Sequence, residues 1–294
     1  MKRLVFICIL VSAFFNAALA HEIALTFDDL PDQQDHSAAQ QRDINLSILN
    51  ALDKYKAPAI GFVNESKLYL AGETQEKIAI LKLWIDRGYP LGNHAYSHVS
   101  MHKIPLEDFK HEVIKGSVIS KQLMAEAKLP YTYFRPPFNH TATTPEARAK
   151  FSEFLKKEGY TAAPVTIDTD DYVFNTKLIA NPQDKDKIIA SYLEHTRKKF
   201  AFYKDASEKI FGRNIKHIWV LHANLLNAYT MDDLVKIAQE HGYEFITLDS
   251  ALKDPAYASP DKYYKDFGVA WLYRWDETRG KVVDWKTEPE PDLS

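Results

Sequence analysis

Short apolar runs alternate along this chain with longer stretches whose apolar residues return every three or four positions. The runs predict strands at Ile23–Phe27, Ala59–Val63, Tyr89–Gly92, Tyr131–Phe134, Thr161–Ile167, His217–Leu221 and Glu244–Leu248. The stretches between them predict helices near Arg42–Lys56, Thr74–Arg87, Leu106–Lys128, Pro145–Glu158, Lys185–Phe211 and Met231–His241. Several of these have end signals. Thr144 precedes Pro145 as a cap before a proline at the first helical position, and Gly88, Gly159 and Gly242 each follow a helix end carrying basic residues or a histidine.

Strands alternating with helices imply parallel pairing, and strands rich in Val, Ile, Leu and Ala imply burial on both faces. The fold class expected is α/β, a distorted (β/α) barrel of about seven parallel strands, with an open doubly wound sheet as the alternative. Polar residues cluster at one end of these strands. Asp28 and Asp29 follow the first, His94 the third, Arg135 the fourth, Asp168 the fifth and His222 the sixth. The carboxyl edge of a parallel sheet is where active sites form, in barrels and open sheets alike. After about Ser250 the alternation stops. The segment 255–286 is rich in Tyr and Trp and is expected to pack as a cap on a barrel spanning 21–254, with stacking on sugar rings as a secondary role. The acidic, proline-containing tail 287–294 is expected to be disordered.

Composition adds four constraints. The chain has 294 residues, 46% hydrophobic and 26% charged, which one large domain accommodates. Residues 1–20 carry a basic start, an apolar run and Ala18-Leu19-Ala20, the pattern of a cleaved secretory signal; export to the periplasm or the medium is expected, with no membrane span afterwards. The sole cysteine, Cys8, lies in that segment, so the mature chain has no thiol and any metal site must use nitrogen and oxygen ligands. Loss of Lys2 and Arg3 takes the formal net charge from −3 to −5, and no basic stripe points to nucleic acid.

The chemistry lies at the sheet edge. His94 and His98, four apart, are expected on one face of a helical turn, where with one carboxylate they suit zinc, or cobalt or nickel. Asp28 and Asp29 can both reach one site only where the strand turns, before Leu30-Pro31; one would bind metal and the other act as base, in an order the residues leave open. Arg135, at the head of a rigid Pro136-Pro137-Phe138 segment, can hold a carboxylate ionised. His222 can serve as general acid, with Asp168 as its partner.

In order, Thr26-Phe27-Asp28-Asp29, His94-x-x-x-His98, Arg135-Pro136-Pro137-Phe138, Asp168-x-x-Asp171-Tyr172 and Leu221-His222 resemble the five motifs of the NodB-homology polysaccharide deacetylases, carbohydrate esterase family four. The resemblance covers about residues 22–250. It implies Asp28 as base, Asp29, His94 and His98 as metal ligands, Arg135 orienting Asp28, and Asp168 tuning His222. It also implies Leu221 lining a pocket for the acetyl methyl and the Phe138 amide stabilising an oxyanion. Three positions depart from the family pattern: Leu30 where glycine is usual, Tyr172 in place of tryptophan, and Ala223-Asn224 where an aspartate commonly follows the histidine. The implied activity is removal of N-acetyl groups from an extracytoplasmic glycan, peptidoglycan or chitin. A xylan O-acetyl esterase and a non-catalytic glycan-binding protein are the alternatives.

Overall fold

The computed structural model describes residues 21–294; the signal-like segment 1–20 lies outside the described residues. Eight strands, all paired in parallel, form one sheet: β1 (His21–Leu30), β2 (Ala59–Val63), β3 (Leu91–Asn93), β4 (Tyr133–Phe134), β5 (Thr161–Ala162), β6 (Ile167–Asp168), β7 (His217–His222) and β8 (Tyr243–Ile246). The order is β5-β4-β3-β2-β1-β7-β6, with β8 paired to the first residues of β1. Ten α-helices surround it: α1 (Ala38–Tyr55), α2 (Thr74–Asp86), α3 (Leu106–Lys115), α4 (Val118–Glu126), α5 (Pro145–Lys157), α6 (Asp171–Ala180), α7 (Lys185–Phe211), α8 (Leu225–Glu240), α9 (Leu248–Leu252) and α10 (Trp271–Arg279). This is the distorted (β/α) barrel. Among the described residues, no helix is long and apolar enough to cross a membrane.

Strand alternation sorts the side chains. Ile23, Leu25 and Phe27 of β1, with Trp219 and Leu221 of β7, face the helices and join the main core. Ala24, Ile60, Phe62 and Ile218 face inward and fill the barrel floor. Thr26 and Asp28 share that inward side, above the floor, which brings polar groups to the carboxyl end of β1.

The segment expected as one strand, Thr161–Ile167, is two. Ala163 N–H still pairs with Phe134 O (2.8 Å) on the β4 side, whereas Thr166 N–H pairs with Ile218 O (2.9 Å) on the β7 side. Pro164 lies between them and has no N–H to continue a ladder, so the chain changes neighbours there. The two ends of the sheet are thus consecutive pieces of one extended segment.

The helix expected over Leu106–Lys128 is also divided, at Gly116-Ser117. A Cβ on Gly116 would lie 2.5 Å from the Ala95 carbonyl carbon and 2.6 Å from Tyr96 N. The break therefore lets the His94–His98 loop pack directly on helix backbone. The C-terminal segment packs against the barrel helices, with Trp275 buried beside Phe211 and Tyr257. Glu288 accepts from Lys199 Nζ (2.6 Å) and Tyr203 OH (2.7 Å), and the Asp292 carbonyl accepts from Ser191 Oγ (2.7 Å), so α7 offers specific donors to what reads as a loose acidic end.

Candidate active site

Asp28 ends the regular part of β1, and Asp29 adopts φ 66°, in the left-handed region. The pairing of β1 with β2 shifts register between Phe27 and Leu30 at the same point. Neighbours on a strand point to opposite faces; this kink turns both carboxylates into one cavity of about 330 Å³ at the barrel mouth.

The two histidines also face that cavity, but not from a helical turn. His94 to His98 is loop, with Ala95 (φ 61°) and His98 (φ 55°) left-handed. Asn64 Nδ2 donates to the His94 carbonyl (2.6 Å), Asn93 Oδ1 accepts from Ala95 N–H (2.8 Å), and Glu112 accepts from Ser97 N–H and Oγ (2.8 and 2.6 Å). These tertiary bonds replace the helical ones that the four-residue spacing suggests.

One ligand atom from each of Asp29, His94 and His98 falls within 4.8 Å of the others. Asp29 Oδ1 is 3.3 Å from His98 Nε2 and 3.6 Å from His94 Nε2. His94 Nδ1 donates to the Arg135 carbonyl (2.8 Å), which leaves its Nε2 lone pair aimed at the cluster. Asp29 Oδ1 is buried with no hydrogen-bond donor among the described residues. Burial opposes its ionisation, but Lys67 and the neighbouring imidazoles hold it well below the usual carboxylate range. Burial also pushes His98 down to about 4, so its ring is neutral at neutral pH. Two imidazoles, one of them with its Nε2 lone pair aimed inward, and an orphaned carboxylate oxygen fit a divalent cation.

Asp28 sits beside this cluster, its Oδ2 3.8 Å from His94 Nε2. Its other oxygen accepts from Arg135 Nη1 (2.8 Å). Arg135 is fully buried: Nη1 also donates to Thr26 Oγ1 (2.7 Å), Nε donates to the Ala163 carbonyl (3.1 Å), and the guanidinium lies 4.4 Å from the Phe62 ring. The arginine is thus braced by β1, the segment just after β5 and the barrel floor.

Across the strand register, Asp28 of β1 is level with His222 of β7. The partner of His222 is Asp171, not Asp168. His222 Nδ1 meets Asp171 Oδ1 at 2.7 Å, and the His222 N–H donates to Asp171 Oδ2 (2.7 Å). Asp168 is the last residue of β6 and accepts from the Asp170 N–H (2.9 Å), whereas Asp171 opens α6 and turns under the imidazole. Asn224 Nδ2 (3.3 Å) and Asn227 Nδ2 (2.5 Å) complete the Asp171 shell. Burial would discharge His222, but the charge and hydrogen bond of Asp171 push it up to about 10, leaving Nε2 a protonated donor at neutral pH. Asp168 lines the cavity, its pKa raised by burial and by repulsion from Asp170.

Leu221 is a second correction. It is fully buried among the helices, and Val220 lines the cavity instead. With His222 facing the cavity, period two sends Leu221 to the opposite face. Phe138 and Tyr172 both line the cavity and are about half exposed; the Phe138 ring lies 4.4 Å from that of His98, and Tyr172 meets His222 edge-on at 5.8 Å. Five further lining residues lie outside the sequence expectations: Gln33, Asn139, His140, Phe267 and Gly268. The last two come from the aromatic C-terminal segment. Gly268 presses so closely on the Phe138 carbonyl that a Cβ there would overlap it at 1.8 Å.

A family model described as polysaccharide deacetylase matches residues 16–161. The chain is 31% identical over 118 residues to a peptidoglycan-N-acetylglucosamine deacetylase of Bacillus cereus; the match takes in 40% of this chain and only 36% of that relative. In fold it is similar to the peptidoglycan deacetylase PdaC of Bacillus subtilis (TM-score 0.52, 20% identity, covering 80% of this chain and 93% of that one). It is also similar to a CE4 family pseudoenzyme of Bacillus anthracis (TM-score 0.55, 15% identity, 80% and 66%). At these identities the structures speak for the fold alone, and a pseudoenzyme among them shows that the fold does not entail turnover.

Proposed function

Since the chain belongs to the NodB-homology polysaccharide deacetylases of carbohydrate esterase family four, we propose that it is a metal-dependent amide hydrolase. It removes the N-acetyl group from N-acetylglucosamine units of an extracytoplasmic glycan, peptidoglycan or chitin oligomers, and acts after export. What carries this reading is the placement of Asp28, held by Arg135 at 2.8 Å, between the Asp29–His94–His98 cluster and His222. A binding protein needs neither a braced base nor a charged imidazole opposite it.

Asp29, His94 and His98 would hold the cation, most readily Zn²⁺ with Co²⁺ or Ni²⁺ as substitutes, and when bound it supplies Lewis-acid polarisation of the acetyl carbonyl and a more acidic water. The remaining work is done by protein groups. Asp28 takes a proton from the water whose oxygen adds to the carbonyl carbon. Arg135 keeps that carboxylate aimed. The Phe138 segment, left-handed at the cavity rim, offers its amide to the developing oxyanion. As the C–N bond breaks, His222 Nε2 delivers its proton to the departing nitrogen, and Asp171 steadies the imidazole in both charge states. Tyr172, Val220 and Phe138 form apolar walls around the acetyl group. Acetate and the free amino sugar leave.

The test is acetate release from chitin oligomers, peptidoglycan and acetylated xylan by the mature chain loaded with Zn²⁺, with and without chelator. Release from the first two that the chelator abolishes is the expected result. Release from xylan alone would move the substrate to esters, and release from none would refute the hydrolase reading.

A further inference from the structure

Gln33 lines the cavity just beyond the aspartate pair. Its backbone is held on both sides: Gln33 N–H donates to the Ala223 carbonyl (2.7 Å), and Lys67 Nζ reaches the Gln33 carbonyl (3.1 Å). Its side-chain oxygen accepts from Asn224 Nδ2 (3.1 Å) and Asn175 Nδ2 (3.3 Å). Which end of a side-chain amide is oxygen is decided by its partners. Here the partners are themselves fixed by groups that can only donate. Asn224 Oδ1 accepts from the Asn227 N–H (2.8 Å), and Asn175 Oδ1 accepts from the Leu226 N–H (3.1 Å). Both asparagines therefore turn oxygen to the start of α8 and NH₂ to Gln33. A flipped Gln33 would set its own NH₂ against two others. Its Nε2 protons are left on the cavity side, and no acceptor among the described residues takes them.

We propose that Gln33 Nε2 is a substrate-binding donor that takes a hydroxyl oxygen of the bound sugar. This rests on the reading of the cavity as a glycan site. The carboxylates lining that cavity, Asp28, Asp29 and Asp168, can accept a hydroxyl proton but cannot serve the hydroxyl's own lone pairs. Gln33 supplies a donor that is uncharged, pre-oriented and separate from His222. The same amide that fixes it, Asn224, also donates to Asp171, so Ala223-Asn224 braces the sugar contact and the His222 partner together.

Gln33→Glu is the discriminating variant. It keeps an oxygen for both asparagines, replaces the cavity-facing NH₂ with an acceptor and adds one negative charge at the rim. Gln33→Met removes both. In the Zn²⁺-loaded mature chain, Gln33→Glu should raise KM for N-acetylchitotetraose about tenfold or more, with a far smaller change in kcat and an unaltered melting temperature. Gln33→Met should show the same KM loss with a lower melting temperature. An unchanged KM in Gln33→Glu, or a fall confined to kcat, overturns the proposal. If the wild-type chain releases no acetate, the deacetylase reading fails on its own, and calorimetric binding of the same oligomer decides for Gln33. A Kd about tenfold weaker in Gln33→Glu then supports the contact, whereas equal affinity, or no binding by either protein, overturns it.

Discussion

Two of the imidazoles that face the cavity, each beside an aspartate, differ in charge: one is neutral and the other protonated. His98 lies 3.3 Å from Asp29 and is pushed down to about 4; His222 lies 2.7 Å from Asp171 and is pushed up to about 10. Burial disfavours the proton on both. The difference is in what surrounds the carboxylate. Asp171 spends its lone pairs on His222, its N–H and two asparagine amides, and meets no competing cation in that shell. Asp29 is shared among Lys67, His98, His222 and His94, so no single imidazole claims its field. A carboxylate next to a histidine does not set its charge; the number of claimants does. The shared arrangement suits a cation, and the exclusive one suits proton delivery.

The largest effect should come from the base between them. Asp28→Asn should lower acetate release by roughly a thousandfold while zinc content, read by elemental analysis, stays at one per chain. If metal is lost as well, Asp28 belongs to the cluster and the division of labour is wrong.

Next, the His222 partner can be tested against its rival. Asp171→Asn should lower kcat by about a hundredfold, and Asp168→Asn should leave the enzyme at least tenfold more active than that. The reverse order would restore Asp168 as the partner.

The two imidazoles should also give stability slopes of opposite sign in the metal-free protein, measured by urea unfolding across pH. His222, raised in the folded state, contributes stability that is present below its unfolded value of 6.5 and is lost as pH rises through about 10. His98, lowered when folded, stays neutral while the unfolded chain takes up a proton, so stability falls as pH drops from 6.5 to about 4. His222→Gln should flatten only the alkaline slope and His98→Gln only the acid one. A shared loss would mean that the rings titrate as a unit.

The smallest effect concerns how each ring is carried. His222 ends a strand, whereas His98 rides a loop packed on Gly116. Gly116→Ala should cost about 1–3 kcal/mol in unfolding free energy and weaken zinc binding, without moving the alkaline slope.

Much of this site was readable in the chain. The apolar runs located seven of the strands to within a few residues, and the polar residues at their ends identified the working edge. What was missed has definite causes. The His94–His98 spacing fits a helical turn, but Ala95 and His98 are left-handed and the loop is bonded by Asn93 beside it and by Asn64 and Glu112 from far away in sequence. Asp168 stands nearest the strand end, yet the start of α6 delivers Asp171 to His222, and α6 has too weak an apolar stripe to announce itself. The place of Leu221 could have been had from alternation alone, since His222 and its neighbour cannot share a face. Gln33, Phe267 and Gly268 carry no spacing signal; only the fold brings them to the rim.

The change of neighbours at Pro164 has a consequence beyond closing the wall. An open sheet exposes two rows of unmet backbone groups, which other chains can join. Here the terminal strands have two residues each, and the carbonyl between them, on Val165, is taken by the Trp271 N–H at 2.7 Å. At β5 and β6 little free ladder is left for a second molecule to extend. The proline that splits one strand in two therefore leaves those two ends of the sheet too short to template pairing with another chain.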